Sequence, residues 1–153
     1  MSQFIATSMP RGYAGQVTRG FYTNVIEAKD NDTSAPVVDF GTPVKISDSK
    51  ESVTPCTAES DVVYGFAVRV YGQANVVPGA SGQQSLKETA VISVLRKGYV
   101  AVKVEGGEPK FGDKVYLTAS GAITATAGAT PVANAIFMGA TDADGIAEIS
   151  FNI

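Results

Sequence analysis

The sequence predicts an all-β protein: a small single-domain β-barrel or jelly-roll-like sandwich with an extended N-terminal arm. Three observations carry this. Short runs of β-branched and aromatic residues recur along the chain, separated by turns drawn from its 16 Gly and 7 Pro. No amphipathic helix of ten or more residues can be drawn; the nearest stretch, Ser85 to Leu95, turns β-branched after Thr89. The length, 153 residues, matches one domain with enough interior to fold without a metal or disulfide.

Residues 1–20 read as the arm and 21–153 as the single β domain. The first twenty hold Arg11 and Arg19 and no acid. They carry +2, which leaves −5 for the rest of a chain whose net charge is −3. Pro10, Gly12, Gly15 and Gly20 break any periodicity there. Phe21 to Ile26 is β-branched and aromatic, and a turn cluster follows at Lys29-Asp30-Asn31-Asp32. Phe21 and Tyr22 are expected to pack in the core from this first strand. Val37 to Phe40 and Val44 to Ile46 read as short edge strands beside Pro36 and Pro43.

Asp61 to Tyr71 alternates most clearly. Val62, Tyr64, Phe66, Val68 and Val70 share one face, expected to line the core. Gly72 to Glu88 reads as a long loop. Thr89 to Arg96 and Tyr99 to Val104 read as two strands broken at Lys97-Gly98. Two hairpins close the chain, Lys114–Thr118 with Ala122–Thr124, and Ala135–Met138 with Ile146–Phe151. The Asp142-Ala143-Asp144-Gly145 turn joins the second pair.

Composition excludes much chemistry. With no His there is no Ser-His-Asp triad, Cys-His pair or His-bound zinc. A single Cys, Cys56, excludes an intrachain disulfide and a Cys-cluster metal site, and no neighbouring base or cation activates it. The acidic balance argues against nucleic-acid binding. No apolar run approaches the roughly 20 residues of a spanning helix. The first ten residues do not read as a signal peptide. No phosphate-loop motif occurs, and Asp142-Ala143-Asp144-Gly145 lacks the further ligands of a calcium loop. No catalytic residue, cofactor or metal is therefore assigned.

Tyr13 and Arg11, surrounded by glycines, suit an intermolecular contact better than a core.

Three runs together resemble the cement, or capsid decoration, proteins of tailed bacteriophages, of the short-tailed phage type. They are Met9-Pro10-Arg11-Gly12-Tyr13-Ala14-Gly15, Asp61 to Arg69 (DVVYGFAVR) and Ser93 to Val102 (SVLRKGYVAV). Gly112 to Leu117 and Asp144 to Ile149 extend the similarity to the end of the chain. The resemblance implies a structural virion protein on the outer surface of an icosahedral head, assembled in the host cytoplasm. Such a protein bridges neighbouring major capsid subunits after expansion. It implies a homo-oligomer, a dimer rather than a trimer, with no nucleic-acid or membrane partner. Arg11, Tyr13 and Arg19 are the expected capsid contacts. Arg69 and Arg96 are further interface candidates, or else solvated or internally paired strand residues. The alternative is a tail, baseplate or head-fibre component with a host-attachment role.

Overall fold

The computed structural model describes residues 11–47, 51–70, 76–78, 84–86 and 91–153. Met9 and Pro10, and most of the expected loop at 72–88, lie outside the described residues. The described residues form eleven strands: β1 Val25–Asp30, β2 Pro43–Ile46, β3 Val53–Pro55, β4 Gly65–Val68, β5 Val76–Pro78, β6 Gln84–Leu86, β7 Val91–Lys103, β8 Lys114–Leu117, β9 Ile123–Thr124, β10 Pro131–Phe137 and β11 Ile146–Phe151. A short 3-10 turn at Phe21–Thr23 is the one helical element among the described residues. Nine strands form one antiparallel sheet in the order β3-β2-β4-β7-β11-β10-β8-β9, with β1 also on β7, and the sheet curls into a half-barrel. Strands β5 and β6 pair separately. The fold is all-β and barrel-like, as the sequence predicts.

Strand β7 organises the molecule. Its first half pairs with β1 on one edge (Ile26↔Leu95, Asp30↔Val91) and with β4 on the other (Phe66↔Leu95, Val68↔Ser93). Its second half pairs with β11, from Phe151↔Gly98 to Ile146↔Lys103. The expected break at Lys97-Gly98 is therefore a bend inside one 13-residue strand. Gly98 takes φ +139°, and a Cβ there would lie 2.1 Å from Asn24 Oδ1. The glycine lets the strand change partners without ending.

Other expectations shift. The first strand begins at Val25 rather than Phe21, and Tyr22 stands fully exposed rather than in the core. Val37 to Phe40 form no strand; Val37 is instead buried under a turn, held by two hydrogen bonds with the Asn31 side chain. Among the described residues of the expected Asp61–Tyr71 strand, only Gly65–Val68 form one, and all four are buried. Val62 is 83% exposed. Alternation fails because β4 is central and has a core on each face, which demands apolar residues at every position.

One core fills the half-barrel, with Phe66, Leu95, Val100, Val102, Val115, Phe137, Ile149 and Phe151. Phe66 and Phe151 meet edge to face at 5.2 Å between ring centroids, the favoured arrangement for their quadrupoles. A smaller core behind β2, β4 and the start of β7 gathers Val37, Val44, Val53, Ala67, Leu86, Ile92 and Val94.

Candidate functional site

The N-terminal segment is built onto the sheet at residues 15–18. Gly15 N–H donates to Ala101 O (2.8 Å), Ala101 N–H to Gln16 O (2.9 Å) and Thr18 N–H to Tyr99 O (3.2 Å). On its other side, Arg69 N–H donates to Gly15 O at 2.9 Å. Because β4 is already bonded to the first half of β7, the segment completes a circuit of main-chain pairing through β4 and both halves of β7. Gly15 (φ +81°) makes this approach possible. A Cβ there would sit 2.5 Å from Phe40 Cβ and 2.9 Å from Gly41 N, closer than real atoms approach.

Side chains fasten the same segment at two acidic points. Arg19 grips Glu148 on β11 through Nε (3.0 Å) and Nη2 (2.8 Å) while its guanidinium lies 4.1 Å over the Tyr99 ring. The Thr18 hydroxyl donates to the same carboxylate. These donors, the Arg19 guanidinium first, hold the Glu148 carboxyl below its ordinary value against the opposing effect of burial. At the second point, Asp142 accepts the main-chain N–H groups of Arg11 (2.9 Å), Asp144 (3.0 Å) and Ile146 (2.9 Å). Desolvation pulls its carboxyl upward; the three N–H donors outweigh this and leave it lowered. Asp142 thus shapes the β10–β11 turn and anchors Arg11 together.

Four of the expected contact residues travel with this segment. Arg11, Arg19 and Arg69 are exposed, and Tyr13 is 50% exposed with the Arg69 guanidinium 5.7 Å over its ring. Arg96 belongs to a different cluster. Its guanidinium lies 3.6 Å over the Tyr64 ring, donates to Tyr64 O, and stands 3.7 Å from Glu27. The Tyr64 hydroxyl donates to Glu27 in turn. Sequence reasoning missed Asp142, Glu148 and Tyr99 as anchors. Glu148 and Arg19 are 129 positions apart, and no local spacing links them.

An open cleft of about 990 Å³ runs beside Lys45, Asp61, Val62, Tyr64 and Arg96. Its charges neutralise one another: Lys45 Nζ lies 2.9 Å from both Asp61 oxygens, and Asp61 also accepts from Thr57 and Ala58 N–H. Among the described residues, no three His, Cys, Asp or Glu side chains gather as metal ligands. Cys56 is buried, and desolvation pushes its thiol up to about 12, so it is a packing group. The arrangement is therefore one of fastened surface rather than reactive groups.

The structural cement protein family (E217 gp24/Pam3 gp6) matches residues 2–152. The chain belongs to that family. It is a structural, capsid-stabilising protein of the virion. Among solved structures, a chain of the capsid of Myoviridae phage XM1 is similar to this cement protein. The TM-score is 0.67 at 21% identity, over 99% of this chain and 97% of that one, which supports the shared fold. No curated protein matches the chain.

Proposed function

We propose that the protein binds the outer face of an expanded icosahedral head and clamps neighbouring major capsid subunits without covalent bonds. It acts by binding alone and carries out no catalysis. It is assembled in the host cytoplasm and works as a homo-oligomer, most simply a dimer. The observation that carries this is the fastened N-terminal segment. Residues 15–19 are locked to β7, β4 and β11 while Arg11 and Tyr13 remain exposed beside them. A pre-ordered root lowers the entropy lost on binding, otherwise about 1–2 kcal/mol per residue for the backbone. Arg11, Tyr13 and Arg19 are the primary capsid contacts, with Arg69 backing Tyr13; Arg96 is a secondary one. Two or more such sites on one oligomer gain by effective concentration, so each can be individually weak.

Co-sedimentation with expanded heads lacking this protein, and with unexpanded proheads as control, tests the proposal. Saturable binding to expanded heads alone is expected, and Arg11→Ala with Tyr13→Ala is expected to weaken it at least about tenfold. Failure to bind either particle overturns the function. Full binding by the double variant overturns the assignment of the segment as the contact.

A further inference from the structure

The inference rests on the head-binding reading above and adds an apolar anchor to it. Phe111 is 71% exposed, yet the turn that carries it is tightly bonded. Asp113 N–H donates to Lys110 O (3.1 Å), and Lys110 N–H donates to the Asp113 carboxylate (2.8 Å). Gly112 N–H donates to Phe137 O (2.9 Å), and Phe137 N–H donates to Asp113 O (2.8 Å), which fixes the turn to the end of β10. Gly112 takes φ +89° to close it. A single exposed apolar side chain is ordinary. An aromatic ring held out on a turn by four hydrogen bonds, and joined to a larger face, is not.

That face is the outside of the β8–β10–β11 sheet. Phe137 points into the half-barrel core, so Ile136 and Met138 on either side of it face outward. Ile136 is 37% exposed and stands opposite Lys114 of β8. Lys114 is exposed and makes no ion pair among the described residues. On the other flank, Met138 N–H donates to Glu148 O, and the Glu148 side chain holds Arg19 over the Tyr99 ring. Gly139 comes next, where a Cβ would lie 3.2 Å from Arg11 Nη2. One outward face therefore runs from Arg11 and Arg19 across Met138 and Ile136 to Phe111. Three of its acids are already engaged: Glu148 with Arg19, Asp142 with main-chain N–H groups, and Asp113 within the turn. An apolar centre with an aromatic anchor and flanking arginines has the make-up of a binding hot spot. We propose that Phe111 is the apolar anchor by which the protein seats on a major capsid subunit, entering an apolar pocket whose rim offers a carboxylate to Lys114. Because the turn is already ordered, little beyond the ring's own rotation is lost on binding.

Co-sedimentation of variants with expanded heads that lack this protein, with wild type alongside, tests the anchor. Phe111→Ala is expected to weaken binding at least about tenfold. Phe111→Asp is expected to weaken it further, whereas Phe111→Leu, which keeps an apolar anchor, retains most of it. Lys114→Glu is expected to weaken binding about threefold or more by setting like charges together. Phe111 buries little of itself in the free protein, so the urea midpoints of all four variants are expected to match wild type; this separates a lost contact from a lost fold. Binding by Phe111→Ala and Phe111→Asp equal to that of wild type overturns the anchor and leaves the cementing function standing. Full binding by Lys114→Glu overturns the carboxylate rim. Failure of wild type itself to bind overturns the function, and the anchor with it, so the two failures are told apart by the wild-type arm. Sedimentation velocity of the free protein covers the other occupant of this face. If Phe111→Asp dissociates an oligomer that wild type forms, the face joins copies of this chain and the capsid anchor is overturned.

Discussion

Glu148 carries more of the molecule's organisation than its position in a strand of alternating residues suggests. It takes the Arg19 guanidinium and the Thr18 hydroxyl at once, and its side chain is only 14% exposed. Glu148→Gln keeps the shape and removes the charge. It is expected to cost about 1–2 kcal/mol, since charge-assisted hydrogen bonds are stronger than neutral ones but Arg19 is half in solvent; urea unfolding measures this. The pH dependence follows from the same contacts. Both Glu148 and Asp142 titrate lower in the folded chain than their ordinary values of 4.5 and 3.8. The unfolded chain therefore binds more protons in that range. The stability they contribute is present above about pH 4.5 and is lost as pH falls through their lowered values. Urea midpoints measured from about pH 6 down to about pH 2 are expected to fall, and Glu148→Gln to flatten part of the slope. Cys56 is expected to resist a thiol reagent at about pH 8 in the native protein and to react only on unfolding, because its desolvated thiol stays protonated.

At the scale of single elements, β7 sets the hardest constraint. Gly98→Val would force a side chain onto Asn24 and Leu95 at a φ of +139°. The expected loss is about 1–3 kcal/mol or more, and thermal unfolding checks it. Gly15→Ala is expected to lift the N-terminal segment off β7 while leaving the β7–β11 pairing in place. Hydrogen exchange reads this as faster exchange of the Ala101 amide, which bonds to Gln16 O, with protection of the β11 amides retained. These elements also mark where sequence reasoning stops. The closing hairpins were readable because both ends of each turn lie within a few residues. The Asp142 turn was readable for the same reason. The continuity of β7 was not, since Lys97-Gly98 looks like a stop and only its two successive partners make it a bend. The alternation over Asp61–Tyr71 misled in the other direction. It marks a strand buried on one face, whereas β4 is covered on both by residues as distant as Leu86 and Phe151. Of the contact candidates, Arg11, Tyr13 and Arg19 stood out as a basic, glycine-rich run, but the carboxylates that anchor Arg11 and Arg19, Asp142 and Glu148, lie 131 and 129 positions away.

For the whole molecule, contacts between distant parts of the chain outnumber those of the local hairpins, from β1 with β7 to residue 15 with residue 101. Loop closure must precede most of the contacts that reward it. Refolding is expected in the millisecond-to-second range rather than microseconds, and stopped-flow fluorescence of its tyrosines checks this. The same topology couples the regions: β7 contributes to both cores, so loss of either is expected to unfold the other, and tyrosine fluorescence and circular dichroism should report one coincident transition.

The attachment of residues 15–18 also has a mechanical side. Their hydrogen bonds to β7 lie side by side across the direction in which the segment runs, and the Arg19–Glu148 pair lies at its end. A pull along the segment loads these bonds together, in shear; a pull away from the sheet opens them one after another, like a zipper. The attachment therefore resists a lengthwise pull better than a lifting one. The root of this segment thus sets the direction from which it can bear load.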